Sequence, residues 1–214
     1  MTTLITQPDI VFVSGHYPEL EYTIKTRRTF VDYTNRHGYG FYYDDSIPKE
    51  TKRHQLHFRR CDSILKAAEQ YPNANWFVWV DSDVFVNRPE ERVESHIDLS
   101  DKTILYHLFH EKPWKFPINT GVKFVNRAAL DYEKQIYDMR NTGRWHLFPY
   151  EQNVMAKFIL KQIDNKYKIH DPYVLNCIVG IHKEHIPEAL FVHMCNMPVP
   201  NRTNYINKYL DAPK

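Results

Sequence analysis

The sequence predicts an α/β protein, and three observations carry the prediction. Two short, uniformly apolar runs, residues 10–13 and Trp76–Val80, have the composition of strands covered on both faces, as in a parallel sheet. Stretches of helical periodicity lie between such runs, set off by Gly and Pro. The resulting order, strand–helix–strand–helix–strand, is the right-handed, nucleotide-binding type of α/β layout.

Taken in order, residues 9–14 (DIVFVS) form the first strand, ending in Ser14-Gly15-His16. Glu21–His37 reads as a helix with Gly38 as its stop. Residues 39–43 (YGFYY) are a second strand, and 44–48 turn the chain out of it. A helix over 50–70 puts Cys61, Ile64, Leu65 and Ala68 on one face. Pro72 and its neighbours break it before Trp76–Val80 (WFVWV), the strongest strand signal. Further on, 103–109 is a strand, 110–117 a turn-rich segment holding Trp114, and 121–125 (GVKFV) a short strand. Ala129, Tyr132, Ile136 and Met139 fall at helical spacing, with Asn141-Thr142-Gly143 as the stop. A helix over 151–162 is expected to turn Val154, Met155, Phe158 and Ile159 inward. Residues 171–214 are expected to wrap the surface, apart from an apolar strand ending in His193. With no repeat, low-complexity tract or linker, one domain over 1–214 is expected.

Composition narrows the function. Twenty-eight Lys and Arg against 26 Asp and Glu leave a formal charge of +2, which argues against a nucleic-acid partner. Six glycines, and no Gly-rich phosphate-loop motif, make a P-loop or dinucleotide fingerprint unlikely to be the binding device. Three scattered cysteines fit neither a disulfide framework nor a four-ligand zinc site. The N-terminus lacks a basic start and a long apolar stretch, so neither a signal peptide, an anchor nor a membrane span is expected, and a cytoplasmic location is.

The sharpest chemical signal is Asp81-Ser82-Asp83, between WFVWV and Val84-Phe85-Val86. Carboxylates at i and i+2 point to the same side and can converge on one hard cation. Two unpaired acids between strongly apolar runs would be costly to desolvate unless something neutralises them. Three further landmarks are weak singly: Asn119-Thr120-Gly121 in a polar turn leading into a strand, Glu151-Gln152-Asn153 at a helix start, and His193 at the end of an apolar strand.

Together with VFVSGH and the basic stretch Arg59-Arg60-Cys61-Asp62-Ser63, these motifs resemble the landmarks of GT-A nucleotide-sugar glycosyltransferases, especially the retaining galactosyl-, mannosyl- and xylosyltransferases. A chain that starts directly at its first strand resembles a viral version, the N-terminal domain of a multi-domain chlorovirus glycosyltransferase, which would act in the host cytoplasm. The resemblance implies a GT-A fold with a mixed sheet and helices on both faces, residues 1–86 forming the nucleotide-binding half and about 100–214 the acceptor half. It implies Mn²⁺, or Mg²⁺, held by Asp81, Asp83 and His193. Ser14, Gly15 and Ser82 would face the nucleoside, Arg59 the diphosphate, and Asn119, Glu151 and Gln152 the sugar and acceptor. The donor would be a UDP-hexose or a UDP-6-deoxyhexose such as UDP-rhamnose, the acceptor a glycan. Trp79, Trp114 and Trp145 would suit stacking on sugar faces. Where the family has a glycine soon after its late histidine, this chain has Met194-Cys195-Asn196.

Two alternatives share part of the pattern. A haloacid-dehalogenase-like phosphatase also opens a DxD after an apolar strand, but near its N-terminus and with Thr or Val where Phe85 stands here. A non-catalytic sugar-binding module would keep the fold without the chemistry.

Overall fold

The computed structural model describes residues 8–48, 52–111, 117–142 and 148–210. Glu50, Trp114, Gly143 and Trp145, expected at a helix start, a helix stop and as stacking rings, lie outside the described residues.

The first half follows the expected alternation. Strand β1 (Ile10–Gly15) leads to α1 (Glu21–His37), β2 (Gly40–Asp44), α2 (Arg53–Leu56), α3 (Arg59–Gln70) and β3 (Trp76–Val80). In α1, Tyr22, Thr26, Phe30, Tyr33 and Thr34 recur at helical spacing and are buried. Gly38 ends the helix at φ 73, where its N–H donates to Thr34 O, a left-handed cap that a side chain would strain. The single helix expected over 50–70 is two: the chain breaks at His57-Phe58, where Phe58 is buried in the core and its N–H donates to Gln55 O at 3.0 Å. On α3, Cys61, Ile64 and Ala68 face inward as expected, whereas Leu65 is only half-buried.

Strands β5 (Tyr106–Phe109), β6 (Asn119–Asn126) and β7 (Tyr167–His170) complete a six-stranded mixed sheet in the order β2-β1-β3-β6-β5-β7. β1 runs parallel to β2 and β3, and β6 runs antiparallel to β3. Alternating residues fill both faces. Val11, Val13, Phe77 and Trp79 pack with α3 and α4 (Leu130–Asp138), while Phe12, Trp76, Val78 and Val80 pack with Phe30 and Tyr33 of α1. The expected α/β class with helices on both sheet faces holds.

The topology gathers one edge. Because β6 opposes β3, its start lies beside the end of β3: Val80 pairs with Val122, and the Asp81 N–H donates to Gly121 O at 2.7 Å. Asn119-Thr120-Gly121, expected as a turn, is therefore the buried first part of β6. A second sheet, β4 (Val84–Val86), β9 (Phe191–His193) and β8 (Cys177–Ile178), is ordered β4-β9-β8. Val84 pairs with His193, and the Met194 N–H donates to Asp83 O at 2.9 Å. The tail is thus not surface wrapping. Apolar Val192, Leu190 and Cys177 carry it into the core, and Ile206 packs helix α7 (Val199–Leu210) against Tyr22 and Phe85.

The helix expected over 151–162 forms as α5 (Glu151–Val154), a π-helical stretch (Met155–Ile159) and α6 (Leu160–Gln162). The wider π turn shifts the side-chain register, so Val154, Met155 and Ile159 remain inside while Phe158 turns outward, 37% exposed. No helix among the described residues is long and apolar enough to cross a membrane.

A group of charges sits inside, with Lys123 and Glu133 fully buried and Glu151 1% exposed. Lys123 on β6 is flanked by apolar neighbours, and its ammonium lies 2.8 Å from Glu133 of α4 and 3.3 Å from Glu151 of α5. Burial alone would lower its pKa, but the carboxylates and the neighbouring Cys61 outweigh it and hold the lysine charged. Removing one partner of such a pair leaves uncompensated buried charge, so Lys123→Met should cost about 3–5 kcal/mol in urea unfolding, with Lys123→Arg losing less. A loss below about 1 kcal/mol for Lys123→Met would show that the pair is not what holds α4 and α5 to the sheet.

Candidate functional site

The shared edge places Asp81 at the end of β3, Asp83 at the start of β4 and His193 at the end of β9. One ligand atom from each lies within 4.8 Å of the others. His193 Nε2 is 3.2 Å from Asp83 Oδ1 and 4.0 Å from Asp81 Oδ2. These contacts lack hydrogen-bond geometry, because Nε2 is buried without a hydrogen-bond partner.

A chain of amides sets the ring's tautomer. Asn119 Oδ1 accepts from the Gly121 N–H at 2.9 Å and from Asn176 Nδ2 at 3.0 Å. Asn176 is thereby oriented with its Oδ1 toward His193 Nδ1, 2.9 Å away. An acceptor there places a proton on Nδ1, so Nε2 is the nitrogen that faces the two aspartates, protonated while no cation is bound and a lone-pair donor once a cation displaces that proton. That is the arrangement a metal-bound imidazole requires. The donor set, two carboxylates and an imidazole, fits a divalent cation such as Mn²⁺ or Mg²⁺.

Without a cation, other charges hold the acids. Arg60 Nη2 lies 3.3 Å from Asp81 Oδ1, and Trp79 Nε1–H donates to the same oxygen at 2.7 Å. Arg202 Nη1 lies 3.1 Å from Asp83 Oδ2, while its Nε is buried and unpartnered. Burial raises the Asp83 carboxyl, but His193 and Arg202 outweigh it and hold the group at about 2. Asp81 goes the other way, raised by burial and by its neighbour Asp83 against the pull of Arg60. Burial lowers His193, yet Cys195 and Asp83 together raise it well above the ordinary histidine value.

These residues stand on the wall between two lobes of a cleft. The larger, about 330 Å³, is lined by Gly15, His16, Tyr22, Arg59, Ser82 and Arg202, with Arg60, Asp81 and Asp83. The smaller, about 150 Å³, is lined by Glu111, Asn119, Thr120, Glu151, Gln152 and His193, with the same Arg60, Asp81 and Asp83.

The expected site residues divide accordingly. Asp81, Asp83 and His193 come together. Gly15 and Ser82 line the larger lobe, and Ser82 Oγ is 3.0 Å from His16 Nδ1. Ser14 is buried in β1 and is not part of the lobe wall. Arg59 reaches the lobe but is tied at 2.9 Å to Asp44, which also accepts from Ser63 and Lys66. Asn119 and Gln152 line the smaller lobe, where the Gln152 Oε1 accepts from the Thr120 N–H at 3.1 Å. Glu151 is 1% exposed and held by Lys123, by Arg60 at 3.4 Å and by Thr120 Oγ1 at 2.9 Å. Sequence reasoning missed Arg202, Glu111 and Asn176, and quoted His16 and Arg60 without giving them a role. The one available signal was Arg60 itself, next to Arg59 on α3 and so turned about 100° from it around the helix.

Comparison with known proteins places the chain among glycosyltransferases. The galactosyl transferase GMA12/MNN10 family matches residues 7–144, more than half of the chain. The crystal structure of a glycosyltransferase involved in glycosylation of the major capsid of PBCV-1 is 48% identical, with a TM-score of 0.91 over 94% of this chain and 99% of that one. The glycosyltransferase GlyE of Streptococcus pneumoniae TIGR4, 10% identical, shares the fold at a TM-score of 0.61, over 97% of this chain and 61% of that one. An uncharacterised α-1,2-galactosyltransferase of Schizosaccharomyces pombe is 34% identical over 67 residues, 30% of this chain and 19% of that one. The chain thus spans about a fifth of that curated relative.

Gly121 ties the geometry to one atom. A Cβ there would overlap the His193 ring at Cε1 and come 2.9 Å from Asn119 Oδ1. Gly121→Ala should therefore displace His193 and weaken Mn²⁺ binding, while overpacking costs about 1–3 kcal/mol. Calorimetric Mn²⁺ titration and a melting curve on the same variant check both. Unchanged metal affinity would mean that the ring's position is not what makes the site.

Proposed function

This chain belongs to the galactosyl transferase GMA12/MNN10 family, and on that premise we propose that it moves a sugar from a UDP-sugar to a glycan acceptor with the help of a divalent cation. The observation that carries the reading is the convergence of Asp81, Asp83 and His193 Nε2 on the wall between two lobes. Neither a phosphatase nor a sugar-binding module calls for a metal triad shared by two compartments.

In this reading Asp81, Asp83 and His193 hold Mn²⁺, with Mg²⁺ as the substitute. When bound, the cation supplies Lewis-acid neutralisation of the charge that develops on the departing diphosphate. The larger lobe takes the nucleoside, with Gly15 and Ser82 on its wall. Arg60 and Arg202 stand on either side of the acids and serve the diphosphate, the role first expected of Arg59, which is committed to Asp44. The smaller lobe takes the sugar and the acceptor hydroxyl. The donor is a UDP-hexose or a UDP-6-deoxyhexose such as UDP-rhamnose.

Transfer is read as retaining, in keeping with the family resemblance. Glu151 does not suit the part of a covalent nucleophile, since its oxygens are engaged by a lysine, an arginine and a hydroxyl. Its buried negative charge instead favours the ring as it becomes oxocarbenium-like, and front-side attack follows.

Three outcomes test this. UDP at about 100 times its Kd should add about 2.7 kcal/mol of stability, seen as a higher melting temperature, in Mn²⁺ but not in EDTA. No metal-dependent shift with UDP or any UDP-sugar would sink the reading. Asp83→Asn should abolish metal-dependent UDP release while the far-UV spectrum stays native. Glu151→Gln should lower turnover by roughly 10–100-fold, the value of a charge-assisted contact, with a much smaller change in the Kd of UDP. An equal loss in both would place Glu151 with the nucleotide and not with the sugar.

A further inference from the structure

The smaller lobe is walled by four carboxylates, and three are already employed. Asp81 and Asp83 face His193, and Glu151 is paired with Lys123 and Arg60. The fourth, Glu111, lies just beyond β5 and differs in kind. The ion pairs found among the described residues include none to it, and its partners are neutral amides. Its Oε2 accepts from Gln152 Nε2 at 2.7 Å, and its Oε1 accepts from Asn119 Nδ2 at 3.3 Å.

Both amides are themselves fixed to β6. Gln152 Oε1 accepts from the Thr120 N–H, and Asn119 Oδ1 accepts from the Gly121 N–H and from Asn176. A carboxylate oxygen can accept two hydrogen bonds, so among the described residues each Glu111 oxygen keeps one open site. The group is thus aimed by a rigid strand, retains capacity for a proton, and faces the compartment that also holds the metal ligands.

We propose that Glu111 is the base that takes the proton of the attacking hydroxyl, with Asn119 and Gln152 as the residues that position it. The inference rests on the UDP-sugar reading above. In the step, the acceptor O–H bond breaks and its proton passes to a Glu111 carboxylate oxygen. The acceptor oxygen forms a bond to the anomeric carbon, and the bond from that carbon to the phosphate oxygen breaks. Its electron pair leaves with UDP. The Glu111 carboxylic acid then releases the proton to solvent. Burial, opposed by the hydrogen bonds from Gln152 and Asn119, raises the Glu111 pKa above the ordinary glutamate value, which brings its basicity nearer to what proton abstraction at neutral pH needs.

The test uses water as acceptor, measuring UDP release from UDP-glucose, UDP-galactose and UDP-rhamnose with Mn²⁺. Glu111→Gln and Glu111→Ala should lower the rate about 100-fold or more, the usual worth of a positioned base, with the Kd of UDP–Mn²⁺ unchanged by calorimetry. Azide attacks as an anion and needs no base. It should therefore restore UDP release to Glu111→Ala and yield a glycosyl azide detectable by mass spectrometry, which a merely structural role would not produce. Near-normal hydrolysis in Glu111→Gln, or failure of azide to restore Glu111→Ala while UDP–Mn²⁺ still binds, would overturn the assignment alone. A wild-type protein that neither binds UDP–Mn²⁺ nor releases UDP from any donor would remove the donor reading and this inference together.

Discussion

Two carboxylates leave the end of β3 and the start of β4 within reach of one point, and their repulsion in a partly dry setting governs what the surrounding fold supplies. Each neighbour answers it. Arg60 comes from α3 to Asp81, Arg202 from α7 to Asp83, and His193 from β9 stands beside both. The pairing of Val84 with His193 and the antiparallel run of β6 beside β3 bring these elements to the same edge. A small second sheet inserted after the DxD is therefore as much a part of the site as the six-stranded sheet.

The charge does not stop at the edge. From Asp81 the sign alternates inward through Arg60, Glu151 and Lys123 to Glu133, each step a contact of 2.8–3.4 Å. A buried charge is tolerable when it is paired and hydrogen-bonded, and this row meets that condition for every member. Its consequence is that Glu151 is oriented from behind by the core. Glu111, whose partners among the described residues are amides across the same lobe, has no comparable neutralisation among them. Two glutamates facing one small compartment are thus given different chemical characters by their partners.

Much of the frame was legible in the residues. The apolar runs at β1 and β3 and the Gly38 stop placed β1, α1, β2 and β3 to within a residue or two, because buried strands and capped helices leave strong local patterns, while the break between α2 and α3 left no such mark. The DxD was visible because acids between apolar runs conflict with burial unless they are used. The failures were nonlocal. Asn119–Gly121 looked like a turn, since Asn and Gly are turn formers, but Gly121 is required by the approach of a ring 72 residues away. Phe158 was misplaced because a π turn changes the period. Lys123 in an apolar strand was a sign of buried charge that went unused, while Arg202 and Asn176 carry no local signal of their contacts. The tail, apart from the strand that ends in His193, looked like surface wrapping because its apolar runs are short and broken by prolines, and β8 is only two residues long.

The central claim is that Asp81, Asp83 and His193 form one cation site that a UDP diphosphate completes. Crystals grown with UDP and Mn²⁺ and measured at the manganese absorption edge test it most directly. The account predicts an anomalous peak bonded to both carboxylates, to His193 Nε2 and to the diphosphate, with Arg202 released from Asp83. A bound UDP with no manganese at this point, or with manganese coordinated away from His193, would contradict it.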